Sequence, residues 1–323
     1  MKLNKICLVS LLISGILIIV VESLIPVLKS VQLRSLSNHD IDLIFGPDSL
    51  LRSPTASEVN RTGISIATGS SSSYFDRLQN LIGSIHYHES WSIRIIVFDL
   101  GLTSQQRRKL KCFKSVSVVD IDFDSLPEHV SRLESFAWKP IAIQTALKME
   151  GVSILFWQDA GQELRSPING IFNAIDRDGY FAVAQTGSIV DCTAHETSRI
   201  LGIPLESIPK DQPQCAGGII GFKRGSKAVE QILNVAVDCA MIESCISPKN
   251  GSGITSHHFD QSVFSLLLWK HNYHCTRSVS FRATWTHRNE EGLVLFSRRY
   301  HCPKPYTSKV RLLPSSYCSS TVQ

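Results

Sequence analysis

Between Gly63 and Gly161 four short, largely apolar runs alternate with three stretches of helical spacing, and this alternation restricts the fold more than any other feature of the chain. The runs are Ile64–Thr68, Ile95–Phe98, Val116–Ile121 and Ile154–Trp157. They are too short for helices and rich in β-branched and aromatic residues, which predicts strands. Tyr74–His86, Ser104–Phe113 and Phe136–Glu150 space their apolar residues as helices do; Tyr74, Leu78, Leu81, Ile82 and Ile85 share one side of the first. Strands that are apolar at nearly every position are buried on both faces. Alternating strand and helix therefore predicts parallel βαβ units, an α/β class with a mostly parallel central sheet. Ligands of such sheets bind beyond the carboxyl ends of the strands. That rule points at the Ser70 loop, Asp99 and Asp159.

The second half is less regular. Phe181–Ala184 and Ala216–Phe222 read as strands, and Ala228–Met241 and Gln261–His271 as helices. After Arg282 the prolines Pro303, Pro305 and Pro314 mark an irregular tail.

The N-terminus has a different character. Lys2 and Lys5 precede an uncharged, mostly apolar run from Ile6 to Val21, followed by Glu22 and a second apolar patch, Leu24–Leu28. Sixteen helical residues span about 24 Å, a little short of a hydrocarbon core of about 30 Å. A retained signal-anchor is expected, with the positive flank cytoplasmic and the bulk of the chain lumenal. A cleaved signal peptide, and with it a secreted form, is the alternative, with Val21-Glu22-Ser23 as cleavage site. The expected organisation is a cytoplasmic tail at 1–5, a signal-anchor at 6–28, a stem at 29–62, a catalytic domain at 63–290 and a C-terminal extension at 291–323. Asn60-Arg61-Thr62 and Asn250-Gly251-Ser252 are acceptor sequons for N-glycans. Eight cysteines follow Cys7, an even number that suggests disulfides in an oxidising compartment. No CxxC pair or zinc-ligand spacing occurs.

Composition excludes some functions. The net charge of +5 arises from 33 basic and 28 acidic residues with no block of five like charges, so nucleic-acid binding has no support. The dense basic cluster Arg107, Arg108, Lys109 and Lys111 reads as a solvated helix face. The chain lacks GxSxG, GxxxxGK[ST] and GxGxxG, so a serine hydrolase, a P-loop kinase and a dinucleotide dehydrogenase are unsupported.

The strongest local signal is Ile154-Leu155-Phe156-Trp157-Gln158-Asp159-Ala160-Gly161, an apolar strand that ends in a carboxylate. A carboxylate there can hold a divalent cation that neutralises a diphosphate leaving group, or it can simply cap the next turn. Lys139, at a predicted helix start before Pro140, adds positive charge where the helix dipole already favours an anion; the plainer reading is a surface lysine. Asp260-Gln261 follows a Gly251-Ser252-Gly253 loop able to close over a ligand. Asp260 could orient sugar hydroxyls or act as base, Gln261 could face the reacting sugar, and Asp260 could instead cap its helix. Asp159 and Asp260 could also be the carboxylate pair of a glycosidase.

In their order these segments resemble the GT-A class of nucleotide-sugar transferases. Ala67-Thr68-Gly69-Ser70 resembles its nucleotide-binding opening, and Phe136-Ala137-Trp138-Lys139-Pro140 the basic helix start facing the nucleotide. Trp157-Gln158-Asp159-Ala160-Gly161 resembles its DxD-type strand end, Ala216–Phe222 its acceptor-side strand, and His258-Phe259-Asp260-Gln261-Ser262 the Asp-Gln segment. The stretch Ile64–His287 is similar to a group of invertebrate type II membrane proteins described as a domain of unknown function with glycosyltransferase-like character. The resemblance implies a Rossmann-like GT-A fold behind the membrane anchor, in the Golgi or endoplasmic reticulum. It implies a nucleoside diphosphate sugar donor bound by Thr68, Ser70, Asp99, Lys139, Asp159, Gly217 and Gly218, a glycan or glycoprotein acceptor, and Asp260 and Gln261 as catalytic residues. It also implies a divalent cation, Mn²⁺ or Mg²⁺, on Asp159 and His287. The departure is that only one acid, Asp159, stands where a full DxD has two. A metal-independent site, with Lys139 or Arg288 screening the phosphates, is the alternative, and a non-catalytic sugar- or nucleotide-binding protein is the rival reading.

Overall fold

A computed structural model of the chain describes residues 62–89, 93–249, 257–277, 281–282, 293–297, 304–314 and 318, all within the unit Leu50–Gln323. The expected anchor, the stem up to residue 61, both sequon asparagines, the Gly251-Ser252-Gly253 loop, His287 and Arg288 lie outside the described residues. Among the described residues no helix is long and apolar enough to cross a membrane.

The strands are β1 (Ile64–Ser70), β2 (Arg94–Asp99), β3 (Val116–Asp120), β4 (Ile154–Gln158), β5 (Gln162–Leu164), β6 (Tyr180–Ser188), β7 (Pro213–Lys223), β8 (Phe281–Arg282) and β9 (Leu295–Ser297). The main helices are α1 (Phe75–His88), α2 (Ser104–Lys111), α3 (Trp138–Lys148), α4 (Asn169–Asp178), α5 (His195–Leu201), α6 (Asn234–Ala240) and α7 (Asp260–Lys270). Six strands form one sheet in the order β3-β2-β1-β4-β7-β6. Pairing is parallel from β3 through β4. β7 is antiparallel to both β4 and β6. The expected α/β class with a mostly parallel central sheet is therefore observed. A smaller sheet runs β5-β9-β8.

Helices cover both faces, as the apolar strands require. Ile66, Ile95, Val97 and Phe156 pack against α1, α2 and α4 on one side. Ala67, Ile96, Phe98, Leu155 and Trp157 pack against α3, α6 and α7 on the other. Local signals set several boundaries. Thr103 and Gln106 form a reciprocal capping box at the start of α2. The predicted helix Phe136–Glu150 is shorter, beginning at Trp138, because Phe136 adopts a left-handed conformation with φ 53°. Ala228–Met241 opens with a π-helical turn, Val229–Leu233, before α6.

The C-terminal segment 304–314 packs on α1. Tyr306 N donates to Asn80 Oδ1 at 2.9 Å, and Arg311 N donates to His86 Nδ1 at 2.8 Å. The close approach needs the missing side chain of Gly83: a Cβ there would lie 1.8 Å from the Tyr306 carbonyl oxygen. Two effects of Gly83→Ala oppose each other. Alanine favours the helix by about 1 kcal/mol, while overpacking against a fixed main chain costs about 1–3 kcal/mol or more. The clash wins, so the variant should melt at lower temperature than the parent. A rise in Tm would show that the segment does not sit on α1.

Candidate functional site

The carboxyl end of β4 carries Asp159, and the first residue of α7 is Asp260. Between them lies Lys139, on the first turn of α3 and only 3% exposed. Its Nζ is 3.2 Å from Asp159 Oδ1, 3.0 Å from Asp260 Oδ2 and 3.4 Å from the Gly217 carbonyl oxygen. An ammonium has three N–H donors, and here each has an acceptor. Nζ also lies 4.9 Å from the centre of the Phe136 ring. The surface-lysine reading of Lys139 is thus set aside: unpaired charge at this depth would be prohibitively costly, and the two carboxylates make it tolerable.

The neighbours are shaped for this arrangement. Gly217 and Gly218 sit in β7, where a Cβ on Gly217 would come 2.8 Å from Asp260 Oδ2 and one on Gly218 2.8 Å from Asp159 Oδ2. The small residues make room for the carboxylates. Trp157 Nε1 donates to Asp159 Oδ1 at 3.0 Å, so a residue that reads as core in sequence also orients the acid. Gln214 joins the site as well. Fully buried, its Oε1 accepts from Gln261 Nε2 at 2.7 Å and pairs with His258 Nδ1 at 2.7 Å. A buried glutamine in a strand entry carries no sequence signal.

Burial pushes the Asp260 carboxyl above the ordinary aspartate value; Lys139 opposes this, and the nearby Asp159 charge adds to it. For Lys139 burial works against the charge, but the two carboxylates outweigh it and hold its pKa above that of an ordinary lysine. If all three groups are ionised the cluster carries one net negative charge.

Two phenylalanines frame the cluster in conformations that bulky side chains rarely adopt. Phe136 has φ 53° and Phe259 has φ 49° with ψ −123°. They immediately precede the segments that bear Lys139 and Asp260, and their ring centres are 5.8 Å apart. Such strain is held only where packing over-determines it, and it concentrates at functional sites.

The other expected residues make different contacts. Thr68 and Ser70 are buried, at 0% and 1% exposure, and Ser70 Oγ donates to the Ser71 carbonyl at 3.0 Å. Thr68 Oγ1 and both amide atoms of Gln158 are buried without hydrogen-bond partners. Asp99 Oδ1 accepts from Gly101 N at 2.8 Å and Leu102 N at 2.7 Å, while Oδ2 pairs with Arg107 NH1 at 2.8 Å. Its carboxylate closes its own loop, and Arg107 is engaged there rather than merely solvated. Asp159, 15% exposed at its side chain, is less deeply buried than Asp260 at 5%.

Among the described residues no group of three or more His, Cys, Asp or Glu could hold a metal ion. Asp159 Oδ1 is shared by Lys139 and Trp157, and the buried Asp260 Oδ2 is engaged by Lys139. The described residues therefore do not by themselves compose a metal site.

His257 fixes the approach to α7. Its Nε2 donates to the Ile246 carbonyl at 3.0 Å, and its Nδ1 accepts from Ala194 N at 3.2 Å. His86 likewise donates to the Lys114 carbonyl at 3.0 Å and accepts from Arg311 N. Burial lowers both pKa values to about 4. Protonation would set a ring N–H against a main-chain N–H. Because the folded-state values are depressed, the stabilising contribution is full above the ordinary value near 6.5 and is lost as pH falls towards 4. The urea midpoint should fall over that window. His86→Gln and His257→Gln, which keep one donor and one acceptor, should flatten the profile; an unchanged profile in both would rule these rings out as its source.

A family model described as "Protein of unknown function (DUF1647)" matches residues 34–144. No curated protein matches the chain. Solved structures that match the chain include the apo form of mouse xyloside xylosyltransferase 1, at TM-score 0.47 and 10% identity, covering 72% of this chain and 97% of that one. An active-site mutant of LgtC matches at TM-score 0.44 and 12% identity, covering 74% of this chain and 84% of that one. The apo bifunctional glycosyltransferase WbbM matches at TM-score 0.44 and 12% identity, and the match spans 38% of that chain and 66% of this one.

Proposed function

We propose that the chain is a GT-A-type glycosyltransferase that moves a sugar from a nucleoside diphosphate donor to a glycan, protein or lipid acceptor. The observation that carries this reading is the buried Lys139 joining Asp159 and Asp260 beside the carboxyl end of β4, where a doubly wound sheet presents its ligand site. In this reading Lys139 holds both carboxylates in place. Asp159 faces the donor diphosphate, and Gln261, steadied by Gln214, faces the donor sugar. Asp260 acts from behind, fixing Lys139, with Gly217 and Gly218 leaving the space. Catalysis then consists of positioning and of neutralising the leaving group. A net negative cluster repels a diphosphate, so added positive charge is required. A divalent cation on Asp159 and His287 is part of the proposal. So are the N-terminal anchor, the lumenal orientation and a place in the Golgi or endoplasmic reticulum membrane.

One feature favours the rival reading, a non-catalytic nucleotide- or sugar-binding protein: the strand end holds a single acid. Calorimetric titration of UDP- and GDP-sugars with and without Mn²⁺, followed by donor-hydrolysis and transfer assays, separates the two. The enzyme should bind and turn over, and Asp159→Asn should lower turnover by about 10²–10³-fold, the usual cost of losing a preorganised charge-stabilising group. Binding without turnover, unchanged in Asp159→Ala, would establish the rival. Hydrolysis of glycans with no nucleotide present would point to a glycosidase instead.

A further inference from the structure

We propose that Cys112 and Cys318 form a disulfide that fastens the C-terminal segment to the end of α2. Two other bridges, Cys215–Cys275 and Cys239–Cys245, are formed in the structure, so this chain is one that carries oxidised cysteine pairs. Cys112 is the residue that ends α2. The main chain around it already runs against the C-terminal segment. Lys114 N donates to the Arg311 carbonyl at 2.8 Å, and Leu313 N donates to the Cys112 carbonyl at 2.8 Å. Phe113 and Leu312 are antiparallel bridge partners between these two bonds. A few residues further on stands Cys318, whose thiol pKa the neighbouring Cys112 thiol raises. Both cysteines are half-buried, so an oxidant can reach them.

A disulfide requires the two backbones to lie close before the sulfurs join, and the main-chain pairing of Cys112 and Phe113 with Leu312 and Leu313 holds the C-terminal segment beside Cys112. Oxidation forms the S–S bond and releases two protons and two electrons. The electrons pass by thiol–disulfide exchange to a dithiol–disulfide oxidoreductase, which leaves with both of its cysteines reduced. The bridge closes a long loop from the end of α2 to residue 318, with β1, α1, β2 and α2 outside it. It pins the segment whose Tyr306 and Arg311 hold α1, the helix that follows the end of β1. Neither cysteine belongs to the Lys139 cluster, so the bridge is independent of the proposed activity.

The test uses the full chain made in a secretory host. Thiols are blocked with N-ethylmaleimide, and the protein is digested without reduction and mapped by mass spectrometry. A Cys112-containing peptide linked to a Cys318-containing peptide, separated by reductant, is the expected result. Both cysteines carrying the maleimide before reduction, or either linked to Cys192 or Cys302, would overturn the proposal. The mapping needs no variant. Where the serine variants fold, Cys112→Ser, Cys318→Ser and the double variant should share one fall in Tm of about 5 °C or more, since each removes the same long loop closure. A double variant that falls by the sum of the singles would equally overturn it.

Discussion

Replacing Lys139 with methionine should destabilise the protein by about 3–5 kcal/mol, the cost of removing one partner from a buried ion pair and leaving the other uncompensated. Two carboxylates lose their counter-charge at once, because Nζ contacts both Asp159 and Asp260. The loss is expected to depend on pH. Burial already raises the Asp260 pKa with Lys139 present; without it the folded-state value rises further. A carboxyl whose pKa is raised by folding destabilises the native state when ionised, so the penalty should be full above the folded-state value, shrink as pH falls through it, and vanish below the ordinary aspartate value. Adding Asp260→Asn to Lys139→Met should recover a large share of the loss, because only the less deeply buried Asp159 then keeps an uncompensated charge. Urea unfolding of the two singles and the double gives the coupling directly. A cost for Lys139→Met below about 1 kcal/mol, the range of an exposed ion pair, would contradict the buried geometry.

Under the proposed function, Gly218→Ala should leave the fold largely intact and lower transfer activity by about 10²-fold, since an ångström-scale displacement of a positioned group costs about that much. The added methyl would lie 2.8 Å from Asp159 Oδ2 and 3.1 Å from its Cγ, so the carboxylate must leave its place beside Lys139. Gly217→Ala differs in kind. Its Cβ would meet Asp260 Oδ2 at 2.8 Å, the Gln261 Cβ at 3.0 Å and the Gln261 Cα at 3.3 Å. It presses on the main chain of α7 and should lose stability together with activity. The two variants are compared by kcat/KM against each one's urea midpoint. If Gly218→Ala keeps its kcat/KM within about threefold of the parent, the position of Asp159 does not govern the reaction.

Much of the architecture follows from local pattern. Ile64–Thr68, Ile95–Phe98 and Ile154–Trp157 lie within the observed β1, β2 and β4, because apolar runs of that length have few ways to bury both faces. α7 begins at Asp260, one residue before its predicted start. β5, α4 and α5 have no counterpart among the elements expected from sequence, although α4 is ten residues long, and β5 pairs with a strand far along the chain. The direction of β7 was not legible either. Ala216–Phe222 reads as an apolar strand in either orientation, and only its register with Leu155 and Phe156 makes it antiparallel.

The same division holds at the site. Asp159, Lys139, Asp260 and the two glycines can each be singled out by residue type and position relative to a strand or helix end. Yet Thr68, Ser70 and Asp99 have equal claims by that rule, and they turn inward or close their own loop. Strand-end position is a one-dimensional property, whereas the direction of a side chain depends on which elements pack beside it. The sequence by itself determined the α/β class, the strand ends and the pool of charged candidates, through periodicity and the need to bury apolar runs. Only the tertiary structure decided that Lys139 is buried with Asp159 and Asp260 around it. These residues are far apart in the chain, and long-range packing alone brings a charge and its two counter-charges within hydrogen-bonding distance.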